Sequence, residues 1–182
     1  MIQAADLLIA PPDLPDPRFK NAVIFMLSTG TQGSLGLCVN KILDITVNDL
    51  DLELGHGRFI DAPIYWGGPV NRRTVWMLHS ADWCLDDTVE ISQDWAMTSS
   101  MEMFEALADG FLPREFRLFS GYASWAPEQL EMELAGQHPW NPRHSWLWAQ
   151  SPDPEWLFNQ PVDTLWATAT SLSCSQAVNS WL

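Results

Sequence analysis

The sequence predicts an α+β fold built on a mixed sheet. Three observations lead there. Short apolar, partly β-branched runs bounded by turn residues fill the first two thirds of the 182-residue chain. Amphipathic stretches with helix start and stop signals follow. Strands and helices do not alternate in the regular βαβ order of a parallel α/β protein. No repeat, low-complexity segment or composition break divides the chain, so residues 1–182 are read as a single domain.

In chain order, Leu7 to Ala10, Val23 to Leu27 and Leu35 to Asn40 are strand candidates, the last two joined by a hairpin-like Ser28–Gly33 connection. Thr46 to Leu54 places apolar residues at 47, 50 and 54, the spacing of a short amphipathic helix. Pro63 to Trp66, Thr74 to Leu78 and Thr88 to Ile91 are further strands. Ser99-Ser-Met-Glu102 has the form of a capping box opening a helix that buries Met103, Phe104, Leu107 and Phe111 and closes at Gly110. Phe116 to Ser120 is a strand. A helix starting near Pro127 buries Leu130 and Leu134, and its acids Glu128, Glu131 and Glu133 suit the helix dipole. Trp146 to Ala149 is a strand within a Pro- and Trp-rich stretch. Pro161 opens a last helix with Val162, Leu165, Trp166 and Ala169 on one stripe, and the tail from Ser171 is weakly patterned.

Charge narrows the function. Nine basic side chains face 23 acidic ones, a net charge of −14. A nucleic-acid binder needs a basic face to neutralise phosphates, so direct DNA binding is disfavoured, and so are anionic membrane surfaces. Cys38, Cys84 and Cys174 are scattered and odd in number, as expected of reduced thiols in a cytoplasmic protein. The N-terminus lacks a basic segment before its apolar run, which argues against a signal peptide. The longest apolar run, Ala22 to Leu27, is too short to span a bilayer.

The common chemical signatures are absent. There is no GxGxxG, P-loop or GxSxG motif. His56, His79, His138 and His144 form no metal-binding pattern, so neither a metal nor a cofactor is expected. The acids from Asp82 to Glu90 lack calcium-loop spacing and read as a solvated loop. Cys84, among those acids, is a poor nucleophile, and Cys38 reads as a buried strand residue.

The candidate binding residues are each open to a structural reading. Gly67-Gly68-Pro69 follows an apolar strand and is either a tight turn or an anion-binding nest of N–H groups. Asn40 and Lys41 sit at a strand end, where Asn40 can cap a turn and Lys41 can attract an anion. His79 is a proton shuttle or a hydrogen-bonded structural residue. Tyr122 flanks a strand-to-helix turn in which Ser124 can cap the helix, and Gln129 points from its first turn toward ligand or solvent.

Four segments in fixed order carry more than any single motif: Leu8-Ile-Ala-Pro-Pro-Asp-Leu-Pro-Asp-Pro-Arg-Phe19, Gly33-Ser-Leu-Gly-Leu-Cys-Val-Asn-Lys41, Tyr65-Trp-Gly-Gly-Pro-Val70 and Gly121-Tyr-Ala-Ser-Trp-Ala-Pro-Glu-Gln-Leu-Glu131. Together they resemble the YqgE/AlgH family of small bacterial proteins over essentially the whole chain. One departure is Glu128, where the family usually has glycine. The resemblance implies a bifurcated mixed sheet with a small closed β-barrel, surrounded by helices. It brings a label of transcriptional regulator, from an association with alginate production, and no catalytic residues.

The leading expectation is a non-enzymatic regulatory or interaction protein, acting through a protein partner or a small ligand. A cluster of exposed side chains among Trp140, Trp146, Trp148 and Trp156 would favour it. The alternative is a small-molecule-binding protein or enzyme with a pocket near Asn40, Lys41 and Gly67-Gly68. A direct DNA-binding factor ranks last. Oligomeric state is left open.

Overall fold

The computed structural model describes residues 1–50, 52, 60–137 and 145–179. Its strands are β1 (Leu7–Ile9), β2 (Val23–Ser28), β3 (Ser34–Cys38), β4 (Ile42–Thr46), β5 (Pro63–Trp66), β6 (Val70–Ser80), β7 (Val89–Glu90), β8 (Trp95–Thr98), β9 (Phe116–Trp125) and β10 (Leu147–Ala149). The helices are α1 (Glu102–Ala108), α2 (Gln129–Ala135), α3 (Pro154–Asn159) and α4 (Leu165–Asn179). The strands form one sheet in the order β10-β1-β2-β3-β9-β6-β8-β7, with β5 and then β4 branching from β9.

The fork lies in β9. Its first half runs parallel to β5 (Ile64 opposite Leu118), and its second half runs antiparallel to β3 (Gly36 opposite Ala123). Its other edge is taken by β6. The sheet is therefore mixed and bifurcated, and the α+β class holds. The arm β4-β5-β9-β6-β8-β7 is open: no ladder among the described residues joins β4 to β7 or β8, so the described strands do not close the expected small barrel.

Glycines make the fork possible. A Cβ on Gly67 would stand 2.2 Å from the Gly121 carbonyl oxygen. One on Gly68, whose φ is +156°, would stand 2.1 Å from the Tyr122 carbonyl carbon. Two backbones touch where the sheet divides, and only residues without side chains allow it.

The continuous apolar runs of β1 and β2 have a physical cause. Side chains alternate faces along a strand, and here both faces are covered. Leu7, Ile9, Val23 and Phe25 pack with Leu157 of α3 and with Leu165 and Ala169 of α4. Leu8, Ile24 and Met26 pack on the opposite face with Trp125, Leu130 of α2 and Trp146. A third cluster joins Ile64, Met77 and Leu118 to Met103, Phe104 and Leu107 of α1. Arg117 of β9, 8% exposed, sits between the Tyr65 and Phe158 rings and donates to the Val39 and Phe158 carbonyls, tying α3 to the sheet.

Several expectations need correction. Within Thr46 to Leu54 the described residues hold only a single 3₁₀ turn, Val47–Asp49, while Asp51, Glu53 and Leu54 lie outside them. The Ser99 capping box does not form. Asp87 takes the Ser99 N–H, and α1 starts after Met101 with no side-chain cap. Phe111 lies beyond the end of α1 and is exposed rather than buried.

Strands β4 and β8 and helix α3 go beyond the elements expected from sequence. α3 nonetheless has a legible start, since Asp153 accepts from the Trp156 N–H and Pro154 occupies the first turn. β9 runs on through Gly121 to Trp125, in place of the expected turn, because β3 offers it an edge. α4 begins at Leu165 and continues through the weakly patterned tail to Asn179. Among the described residues no helix is long and apolar enough to cross a membrane.

Candidate functional site

The structure separates the candidate residues. The Asn40 side chain accepts from the Val23 N–H at 2.8 Å and donates to the Asn21 carbonyl at 2.8 Å, fastening one loop to a strand end. The Gly67 N–H donates to the Ser120 carbonyl, so it is committed to the sheet rather than to an anion nest. Gly68 lies against Tyr122 at the fork. The Tyr122 ring packs edge-on to Trp76, 5.9 Å away. His79 is fully buried in the other arm, between the Ser80 carbonyl and the Thr98 hydroxyl. Lys41, Ser124 and Gln129 remain, and these three line one groove.

The groove has two compartments that meet at Arg18 and Pro69. The outer one, about 550 Å³, is lined by Arg18, Lys41, Trp66 and Arg72 with Ile42 and Leu43. The inner one, about 180 Å³, is lined by Asp16, Phe19, Ser124, Gln129, Glu133 and Trp146. The proline-rich loop after β1 shapes the junction. Asp16 caps a 3₁₀ turn at Pro17–Phe19 and pairs with Arg18 at 2.6 Å, which holds the Asp16 carboxyl below its ordinary range. Lys41 donates to the Arg18 carbonyl at 2.7 Å and lies 5.8 Å from the centre of the Trp66 ring. Three of the nine cations of a chain with net charge −14 thus face one compartment, and among the described residues no carboxylate lines it.

Glu133 is the residue that sequence reasoning misses. It is 3% exposed. One carboxylate oxygen accepts from the indoles of Trp125 (3.1 Å) and Trp146 (2.6 Å), and the other accepts from Gln129 (2.8 Å). The four-residue spacing of Gln129 and Glu133 on α2 is the available signal, because it puts both on one helix face. An aromatic succession joins the compartments: Trp66 to Phe19 at 5.4 Å, Phe19 to Trp146 at 6.1 Å, and Trp146 to Trp125 at 6.1 Å between ring centres. The expected exposed tryptophan cluster does not form among the described residues. Trp146 is buried, Trp156 packs against the core, Trp148 is exposed, and Trp140 lies outside the described residues.

Among the described residues no group of His, Cys, Asp or Glu is placed to hold a metal ion. His56, His138 and His144 lie outside them. Burial pushes the Cys38 thiol up to about 12. Asp82 and Asp87, read from sequence as solvated, accept from the Arg114 and Ser99 N–H groups.

The model of the AlgH-like family matches residues 7–176. The chain belongs to the AlgH-like family. It is similar to a UPF0301 protein of Ralstonia nicotianae, 34% identical over 169 residues, covering 91% of this chain and 85% of that protein. A UPF0301 protein of Idiomarina loihiensis is 36% identical over 169 residues, covering 90% and 87%. The solution structure of the AlgH protein from Pseudomonas aeruginosa superposes with a TM-score of 0.72 at 28% identity, covering 94% of this chain and 92% of that one.

In this AlgH-like chain, Glu128 adopts φ +65°, the left-handed conformation that glycine takes most readily. The glycine that the resemblance leads one to expect here would take that conformation without strain. His79 supplies a pH dependence. Burial lowers its pKa below the ordinary 6.5. The unfolded chain therefore binds a proton as the pH falls through 6.5 while the folded chain does not, so this contribution to stability is intact above 6.5 and is lost on acidification. Urea midpoints measured between pH 7.5 and 5 are expected to fall less steeply for His79→Gln than for the parent; equal slopes would exclude His79 as a source.

Proposed function

We propose that this AlgH-like protein is a non-enzymatic binding protein, regulatory through what it binds, and that its groove takes a small anionic molecule. The observation that carries this reading is the convergence of Arg18, Lys41 and Arg72 on one concave compartment of a strongly acidic chain. Arg18 is paired with Asp16, so the field of Lys41 and Arg72 is what focuses in a cleft with apolar walls, and guanidinium and ammonium groups are the usual partners of phosphate and carboxylate. Any effect on transcription is then indirect, through the ligand or a protein partner, because the net charge opposes duplex DNA. A cytoplasmic location agrees with the reduced-thiol pattern.

The test is calorimetric titration with inorganic pyrophosphate. Saturable binding is expected, weakening with added salt and at least tenfold in Lys41→Met and in Arg72→Met. Absence of saturable binding, or parent-like affinity in both variants, overturns the reading.

A further inference from the structure

We propose that the occupant of the groove is a nucleoside monophosphate, with its phosphate in the outer compartment and its base in the inner one. This rests on the groove being an anion site and adds what the rest of the groove selects. The chemistry changes in a fixed order along its length. Lys41 and Arg72 supply positive charge in the outer compartment, beside Arg18 in its pair with Asp16. Asp16 stands at the junction, on the inner wall beside Arg18. Both of its oxygens accept from Arg18, so it fixes the position of the Arg18 side chain at the junction. Phe19 follows, half-buried and edge-on to the buried Trp146, and an aromatic face holds a base by stacking with little regard to sequence.

Glu133 closes the inner end and defines what the base must bring. A carboxylate has about four acceptor positions. Two on one oxygen are used by the Trp125 and Trp146 indoles, and one on the other is used by Gln129. Among the described residues one position is left over, and it accepts a donor, such as an amino or ring N–H. A second anionic group at this end would meet a buried negative charge, which disfavours dicarboxylates and other doubly headed anions. A lipid-like tail would leave that acceptor position unmet. An anion at one end and a planar donor-bearing ring at the other satisfy both, and the Ser124 hydroxyl adds a group able to donate or accept.

The experiment titrates the full chain with guanosine monophosphate, adenosine monophosphate and inorganic pyrophosphate, followed by tryptophan fluorescence and calorimetry. At least one nucleotide is expected to bind tenfold or more tightly than pyrophosphate. Phe19→Leu is expected to weaken that nucleotide fivefold or more while leaving pyrophosphate unchanged. Glu133→Gln, if its near-ultraviolet dichroism shows the parent fold, is expected to do the same. If pyrophosphate binds through Lys41 and Arg72 but neither nucleotide binds more tightly, the nucleotide assignment fails and the anion site stands. If a nucleotide binds tightly but Phe19→Leu has no effect, the proposed placement of the base is wrong. If nothing binds, both readings fall.

Discussion

Gly68→Ala is expected to destabilise the protein by about 4 kcal/mol, the sum of an overpacking cost and a backbone-strain cost of about 1–3 kcal/mol each. The added Cβ would run into a single peptide unit of β9: the Tyr122 carbonyl carbon at 2.1 Å, its oxygen at 2.2 Å and the Ala123 nitrogen at 2.3 Å. None of these is the end of a flexible side chain, so relief requires the two strands to part. The residue following it, Pro69, lines both compartments of the groove, so loss of ligand binding should accompany loss of stability. Gly30→Ala is the control, because a Cβ there meets nothing within 4 Å. Urea unfolding of the two variants checks the expectation, and a Gly68→Ala midpoint equal to that of Gly30→Ala would refute it.

Glu133→Leu is expected to cost about 3–5 kcal/mol, the range seen when one partner of a buried charged network is removed. Leucine approximates the volume but leaves the Trp125 and Trp146 indoles and the Gln129 amide without their acceptor. Each orphaned donor costs about 1–3 kcal/mol where water cannot reach it. Glu133→Gln keeps an acceptor oxygen and is expected to cost less. Denaturant unfolding would give the order, and a Leu variant within about 1 kcal/mol of the parent would mean that water entering the inner compartment replaces the carboxylate.

The legible parts of this fold are those whose cause is local. β1, β2 and β3 stand out as apolar runs because their residues are largely buried on both faces, and the start of α2 is marked by Pro127. β8 is not legible, since Trp95-Ala-Met-Thr98 has neither an alternating pattern nor β-branched enrichment, and its pairing with β6 is decided by tertiary contacts. The failed capping box at Ser99 shows the same override, with Asp87 claiming an N–H from twelve residues away. Of the groove, Lys41, Ser124 and Gln129 are within reach of motif reading. Arg18 lies in the first of the four segments that carry the family resemblance without standing out as a ligand, and Arg72 lies outside them; only the fork brings the loop after β1 beside the start of β6. Glu133 looks like a surface acid in its helix, and its burial depends on Trp146, which lies beyond the end of α2.

The sharing of β9 has a consequence for the growing chain. β3 completes its pairing only when residues 123–125 exist, and β1 only when residues 147–149 exist. Until then, strands rich in apolar residues have unpaired edges, the condition under which nascent chains associate. Acidic residues spread along the sequence oppose that association throughout synthesis. The acidity that argues against DNA binding thus also protects a topology whose first strands must wait for the last.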